Sequence, residues 1–328
     1  MGNNAIGSKR KDWVDFLRAL AMVFVVYGHL SPELTGYFVF TSPVKISLFF
    51  AISGYVFNYK NKSTKVFFYK LLRNVAIPWL VLTIGPKIAM SPIKGINWLG
   101  DEVYKILTGE SFWYMPCMII AEILWFFINK LFNKLSSVSI ASVAVSAAGF
   151  VLAAFDVPNF LMINTALIVQ LYLLTGLLYK SYDKQIAKKP VLLCGAGVYV
   201  LLGVLTLVFY PGHNIDIHLN KYYNYAICLL MIGVGLICLF ILADTVIKKY
   251  PRIVVLVGQN TLVTYLFHGY VVKVVLKALS IVKISKNWFI SIFVTIVVCL
   301  VCTVISIIIR KVCPPIMGAG RKTEAKAG

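Results

Sequence analysis

Two ionisable side chains in the first apolar stretch of the chain, Arg18 and His29, have a spacing that suits joint chemistry. They are eleven residues apart, which on an α-helix is three turns plus about 20°, so both lie on one face and about 16 Å apart along the axis. A guanidinium binds phosphate bidentately, and an imidazole accepts protons near neutral pH. The pair therefore suits a phosphate-bearing donor such as coenzyme A near Arg18 and proton abstraction from a sugar hydroxyl near His29.

Structural interpretations of the same residues stay open. Arg18 can extend its charged end to the membrane interface, or it can form an ion pair with Asp15 at i, i+3. His29 can be a packing residue that is held by hydrogen bonds. Spacing alone does not separate these roles from chemistry.

Membrane-spanning helices are the elements that the sequence predicts around this pair. Of the 328 residues, 60% are hydrophobic and 13% are charged, whereas a soluble domain is roughly half apolar. Backbone groups in lipid must be hydrogen-bonded within their own segment, so we interpret each apolar run of about 20 residues as a helix. The runs are 13–31, 37–57, 74–90, 113–130, 137–155, 161–179, 191–209, 224–247, 254–272 and 287–309. The predicted fold class is an all-α integral membrane protein with about ten transmembrane helices.

The distribution of basic residues predicts the orientation. Alternate loops carry 22 and 8 Lys and Arg residues, with Arg18 and Lys45 assigned to spans. The positive-inside rule puts the richer set in the cytoplasm. We therefore predict a multi-pass protein of the plasma (inner) membrane with both termini cytoplasmic (N-in/C-in). Because the net charge of +20 is interleaved with the spans, it forms no contiguous face for nucleic acid, and the lipid bilayer is the expected partner.

Three segments are predicted along the chain. They are a cytoplasmic N-terminal segment 1–12, a membrane domain 13–309 and a cytoplasmic tail 310–328, whose composition of Gly, Ala and Lys indicates disorder. The loops 91–112 and 210–223 are too short to form a catalytic domain. Any chemistry is therefore expected inside the membrane domain.

Metal ligands are not expected. The seven cysteines lack the paired spacing of a zinc site. His213, Asp216 and His218 in one loop have the right chemistry to bind a metal, but a short polar loop supplies such residues by chance. We expect no metal cofactor.

Four strings in register along the chain resemble the acyltransferase 3 family of membrane acyltransferases. Its first helix carries an Arg, ten residues and a His, as Arg18 and His29 do here in DFLRALAMVFVVYGH. The other strings are LFFAISGY at 48–55, FWYMP at 112–116 and GQNTLVTYLFH at 258–268. The resemblance spans nearly the whole chain and departs from the family at Lys45, where many members have a histidine.

The resemblance implies that the protein is an O-acyltransferase. It implies transfer of acetyl from cytoplasmic acetyl-CoA, the co-substrate, to a hydroxyl of a cell-surface or exported glycan or of a lipid-linked sugar. Within the family the chain looks most similar to sugar O-acetylases that have no appended extracytoplasmic domain. Enzymes of glycan biosynthesis are candidate protein partners. The alternative is a transporter or flippase of an envelope glycan without covalent chemistry, since ten spans with few polar residues also suit translocation.

The candidate site combines intramembrane polar residues with the family strings. The candidate catalytic residues are His29, Glu122 and His268, and the candidate substrate-binding residues are Arg18, Asp15, Ser53, Trp113, Tyr114, Asn260 and Tyr265. An acid inside a span is a functional candidate by default. Glu122 can orient His29 or take its proton, or it can simply pair with Lys45 or a backbone donor.

Other members of the set also have two interpretations. Tyr265 and His268 share one face near the outer end of the predicted ninth helix, where they can serve the site or an interhelical hydrogen bond. Ser53 and Gly54 more often indicate close helix packing than nucleophilic catalysis. His29 itself can deprotonate the acceptor directly or carry the acetyl group transiently.

Overall fold

A computed structural model of the protein describes residues 11–30, 35–58, 63–283 and 287–317. Most of the predicted segment 1–12 and of the predicted disordered tail lies outside the described residues. The helices are α1 (Asp12–Leu30), α2 (Thr35–Lys45), α3 (Ser47–Val56), α4 (Thr64–Leu71), α5 (Ile77–Lys94), α6 (Ile96–Thr108), α7 (Tyr114–Leu131), α8 (Leu135–Ala154), α9 (Ile163–Ile168), α10 (Gln170–Tyr182), α11 (Lys188–Phe209), α12 (Tyr225–Ile241), α13 (Arg252–Gln259), α14 (Thr261–Ile281) and α15 (Trp288–Val312). Short π-helical segments, Leu72–Ala76 and Leu242–Val246, and 3-10 turns, Phe160–Met162 and Pro314–Met317, adjoin them.

In the described ranges, ten helical segments are long and apolar enough to cross a membrane. This finding confirms the predicted fold class. Six of the segments are single helices: α1, α7, α8, α11, α14 and α15. The others combine α2 with α3, α4 with α5, α9 with α10, and α12 with the π-helical turn that follows it.

The second span breaks at Ile46, between α2 and α3. Pro43 lies inside α2 and lacks a backbone donor. The hydroxyl of Ser47 donates a hydrogen bond to the carbonyl of Pro43, a contact that bends helices. The break puts Ile46 and its neighbour Lys45 at an irregular point in the middle of the span.

The predicted ninth span, 254–272, is wrong in its bounds. The chain breaks at Asn260, so that α13 and α14 are separate helices and α14 continues to Ile281. The Asn260 side chain donates to the Leu256 carbonyl at 2.6 Å and accepts from the Ser306 hydroxyl at 2.7 Å, which satisfies polar groups at the break. His268 therefore lies in the first half of α14 rather than near its outer end.

The third span differs from the prediction as well. It was expected over 74–90, but the helical segment runs from Thr64 to Lys94. The basic stretch before the apolar run continues the same helical path, through a π-helical turn at Leu72–Ala76. A prediction from hydropathy leaves charged residues out of the span, even where the backbone of the helix continues through them.

Helix α1 lies at the centre of the packed structure. It packs against α13, α14 and α15 on one side and against α2 and α3 on another. Leu17, Ala21 and Val26 are fully buried. In contrast, α8 and α11 expose most of their residues, as expected for helices that face lipid. The polar residues of α1 therefore lie in the protein interior, where they can form a site.

Two glycines allow α3 and α10 to pack backbone against backbone. A Cβ atom added at Gly54 would overlap backbone atoms of Leu173, and one added at Gly176 would overlap the backbone of Ala51 and Tyr55. Small residues permit such close approach between membrane helices. The structure thus supports the packing interpretation of Gly54 and explains how α3 is held in place.

Gly54→Ala is expected to destabilise the protein, because the added methyl group must push α3 away from α10. Overpacking of this kind typically costs about 1–3 kcal/mol. The measurement is the thermal unfolding midpoint of the purified protein in detergent. Gly197→Ala on α11, where an added Cβ meets no atom within 4 Å, is the matched control and should not lower the midpoint. Equal midpoints for the two variants would contradict the backbone contact.

Reporter fusions test the predicted orientation of the spans. With cytoplasmic termini, green fluorescent protein fused after residue 328 should fluoresce, because it folds in the cytoplasm. Alkaline phosphatase inserted after Gly212 should be active, since loop 210–223 is predicted to be outside. The same insertion in loop 130–134 is the control and should be inactive. The reverse pattern would show that the termini face outward.

Candidate active site

Two adjoining cavities lie beside α1. The first, which we call the arginine cavity, has a volume of about 240 Å³ and is lined by Arg18. The second, the histidine cavity, has a volume of about 330 Å³ and is lined by His29. Ile46 and Tyr265 line both cavities, so these two side chains form the partition between them. The two ends of the Arg18–His29 face thus open into different compartments.

The arginine cavity brings together five of the predicted site residues. They are Arg18, Ser53, Tyr114, Glu122 and Tyr265. Glu122 interacts with the hydroxyl of Ser53 and electrostatically with Arg18. The acid therefore lines the same cavity as the guanidinium, rather than the cavity that contains His29.

Asp15 holds Arg18 in position through an ion pair. The Arg18 Nη1 atom donates to the Asp15 Oδ1 atom at 3.0 Å, and the Asp15 side chain has no exposed surface. Its other oxygen accepts a hydrogen bond from the Gln259 side chain at 3.2 Å. A buried carboxylate needs such partners because its desolvation is costly. Asp15 does not line either cavity and is a positioning residue for Arg18.

His29 lines the histidine cavity and lies next to His268, which itself lines neither cavity. The two ring centroids are 5.0 Å apart, and His29 is exposed to the cavity. The His268 Nδ1 atom lies 3.0 Å from the Thr264 carbonyl and 2.8 Å from the Tyr265 carbonyl. Because carbonyl oxygens only accept, these contacts assign the proton to Nδ1 and leave Nε2 as an acceptor. A pair of imidazoles at this spacing can receive and pass on a proton.

The partition is held by the turn that starts α7. The backbone N–H of Tyr114 donates to the Tyr265 hydroxyl at 3.2 Å, and the two rings are 5.3 Å apart. Phe112, just before α7, has a φ of 57°, which is unusual for a residue with a side chain. These contacts fix the Tyr265 ring between the two cavities.

One wall of the histidine cavity is aromatic. Trp113 and His218 stack with centroids 5.0 Å apart and an interplanar angle of 18°. Burial lowers the pKa of His218 below its ordinary value, although the neighbouring Asp216 carboxylate opposes the change. The lowered pKa favours the neutral ring at neutral pH, and the stacked pair forms an aromatic wall against which a sugar can pack.

Asn260 and the metal candidates lie apart from this arrangement. Asn260 does not line either cavity, and its hydrogen bonds join α13 to α15. His213 lies in an exposed turn, with its Nδ1 atom 3.2 Å from the Pro211 carbonyl. In the part of the chain that the structure describes, no three His, Cys, Asp or Glu side chains are grouped as metal ligands.

Several residues that line the cavities had no functional role assigned from the sequence. Lys45 could have been identified from the sequence, since a charged residue inside a membrane span is costly and indicates a function. His218 and Asp216 were noted for metal binding rather than as a cavity wall. Ile46 could not have been identified from the sequence, because an isoleucine in an apolar run is ordinary.

A comparison with protein families gives this geometry a chemical context. The family model described as an acyltransferase domain matches residues 11–309, a range that includes both cavities. Comparisons with curated proteins and with solved structures gave no significant match. The family match covers most of the chain and confirms the resemblance carried by the four sequence strings. The chain therefore belongs to the acyltransferase 3 family and is a multi-pass membrane acyltransferase.

Proposed function

We propose that the protein transfers an acetyl group from cytoplasmic acetyl-CoA to a hydroxyl of a cell-surface or exported glycan, and that it does so within the plasma membrane. The observation that carries the proposal is the pair of adjoining cavities on one helix, one lined by Arg18 and the other by His29, whose ring lies 5.0 Å from that of His268. The family match also favours acyl transfer over translocation.

The arginine cavity is the proposed donor site. The guanidinium of Arg18 has five N–H donors in a rigid fork, and Asp15 orients that fork through one of them. Acetyl-CoA enters from the cytoplasmic side with its phosphates near Arg18. Its extended pantetheine arm then carries the thioester toward His29, about 16 Å farther along α1.

The histidine cavity is the proposed acceptor site. His29 accepts the proton of the acceptor hydroxyl, and the oxygen attacks the thioester carbonyl carbon. The C–S bond then breaks, and the leaving thiolate takes the proton from His29. His268 lies beside His29, and its Nδ1–H contacts hold its ring in place. The products are an acetyl ester of the sugar and free coenzyme A.

The partition controls the meeting of the two substrates. Ile46 and Tyr265 stand between the cavities, whereas reacting atoms must approach to about 3–3.5 Å. One of these side chains must move before the thioester reaches His29. Ile46 lies at the break between α2 and α3, where a regular helix does not constrain it. We therefore assign the opening movement to Ile46.

His29→Ala is expected to reduce acetyl transfer by at least about 10²-fold, because a positioned general base contributes about 10²–10⁴-fold. The measurement is incorporation of labelled acetyl from acetyl-CoA into glycan by membranes that contain equal amounts of each protein. His213→Ala, at an exposed position that does not itself line either cavity, is the control and should retain activity.

Three outcomes of this assay would change the proposal. Equal transfer by wild type and His29→Ala would make His29 a structural residue. No transfer by wild type, with an acceptor preparation shown to be competent, would favour the transporter. A labelled protein that persists when donor is added alone would replace direct transfer with an acetyl-histidine intermediate.

Arg18→Gln is expected to raise the KM for acetyl-CoA by about 10- to 150-fold, the equivalent of hydrogen bonds to a charged group. It should also lower stability, by up to about 3–5 kcal/mol, since it removes the Arg18 partner of the buried Asp15 carboxylate. The double variant Asp15→Asn, Arg18→Gln removes the carboxylate charge as well and should recover the unfolding midpoint but not the KM. Recovery of both would show that Arg18 has only a structural role.

A further inference from the structure

The histidine cavity contains a lysine that the proposed transfer reaction does not use. Lys45 lines this cavity near the break at Ile46. Its Nζ atom lies 4.0 Å from where a Cβ atom would be on Gly28, the residue before His29. The ammonium group is therefore next to the turn of α1 that carries the proposed base.

The surroundings of Lys45 do not neutralise its charge by direct contact. Among the described residues, no carboxylate lies within 4.0 Å of its Nζ atom, which instead lies 5.1 Å from the centroid of the Phe38 ring. Asp216 interacts with it electrostatically at longer range. The Asp216 Oδ1 atom accepts a hydrogen bond from the backbone of Leu219 at 3.1 Å, so this carboxylate is engaged in its own turn.

A cation in such a place is costly unless a ligand or partner compensates it. Charged side chains within membrane spans are rare and are usually paired or line a functional cavity. The other basic groups that line this cavity are the imidazoles of His29 and His218, and burial lowers the pKa of His218. The Asp216 carboxylate also lines the cavity, but the backbone of Leu219 binds its Oδ1 atom. Lys45 is therefore the lining group that can attract an anion.

We propose that Lys45 binds an anionic group of the acceptor, either the carboxylate of a uronic sugar or a phosphate attached to the sugar. The proposal rests on the proposed function, in which this cavity holds the acceptor. A volume of about 330 Å³ is at the lower end of small-molecule sites, ~300–1,000 Å³, and suits a single sugar residue. Trp113 and His218 line the cavity as an aromatic wall for the sugar, and the anion at Lys45 directs one hydroxyl toward His29.

Binding measured without donor tests this inference separately from catalysis. The purified protein in detergent is titrated with methyl glucuronide, glucose 1-phosphate and methyl glucoside, and the unfolding midpoint is recorded at each concentration. A ligand of the folded state raises the midpoint according to its affinity. We expect one of the two anionic sugars to bind about tenfold or more tightly than the neutral sugar. Which of the two binds distinguishes a carboxylate from a phosphate.

Two variants assign the preference to Lys45. Lys45→Met keeps much of the side-chain volume and should lose the preference for the anionic sugar, whereas Lys45→Arg should retain it. Lys277→Met, at an exposed position of α14 outside the cavity, is the matched control and should bind as wild type does. The midpoints without sugar verify that each variant is folded.

Two results would overturn the inference. One is equal binding of anionic and neutral sugars by the wild-type protein. The other is an anion preference that survives in folded Lys45→Met. Neither result depends on acetyl transfer, so a failure of the proposed function in the transfer assay and a failure of this inference can be told apart.

Discussion

A buried carboxylate within a membrane helix constrains much of the rest of the structure. Asp15 has no exposed surface, and lipid or a packed interior gives it no water as a partner. It is compensated by Arg18 on its own helix and by Gln259 at the end of α13. The carbonyl of Gln259 in turn accepts from Arg310 of α15 at 3.0 Å. One ionised group thereby joins three helices and fixes the guanidinium that faces the arginine cavity.

Helix breaks create the two cavities. Irregular backbone at membrane depth is tolerated where it is buried in protein or lines a cavity, and both breaks described above meet that condition. Ile46 lines both cavities, and Thr261 and Leu262, which directly follow the break at Asn260, line the arginine cavity. The close contact of α3 with α10 holds the second half of this span in place. The break at Ile46 can then adjust while the segment that carries Ser53 stays fixed.

The sequence predicted the spans and the face of α1 well, because both follow from features that are local in the chain. An apolar run of membrane length identifies a helix, and a separation of eleven residues fixes the relation of Arg18 to His29. The break at Asn260 was missed although the residues at 258–261 are Gly, Gln, Asn and Thr, because four such residues do not end an apolar run of membrane length. The hydrogen bond from Ser306 that satisfies Asn260 at the break comes from another helix and has no local signal in the sequence.

Contacts between distant parts of the chain could not be predicted from local features. The pairing of His29 with His268, the stacking of Trp113 on His218 and the presence of Glu122 in the arginine cavity all depend on how the helices pack. The resemblance to the family identified most of these residues as candidates for one site. It did not indicate that they belong to two different cavities. Only the packed structure shows that the base and the fixed cation lie on opposite sides of a partition.

The separation of the two cavities is relevant to hydrolysis of the thioester, the side reaction expected of the proposed enzyme. A thioester held next to an imidazole and water would hydrolyse, because the base that activates a sugar hydroxyl also activates water. Excluding water from a reactive group is one established function of a closed site. With Ile46 and Tyr265 between the cavities, a donor in the arginine cavity is separated from His29 until the partition opens. If an acceptor in the histidine cavity occupies the space of the water, opening the partition exposes the thioester mainly to the sugar, and the partition serves selectivity as well as access.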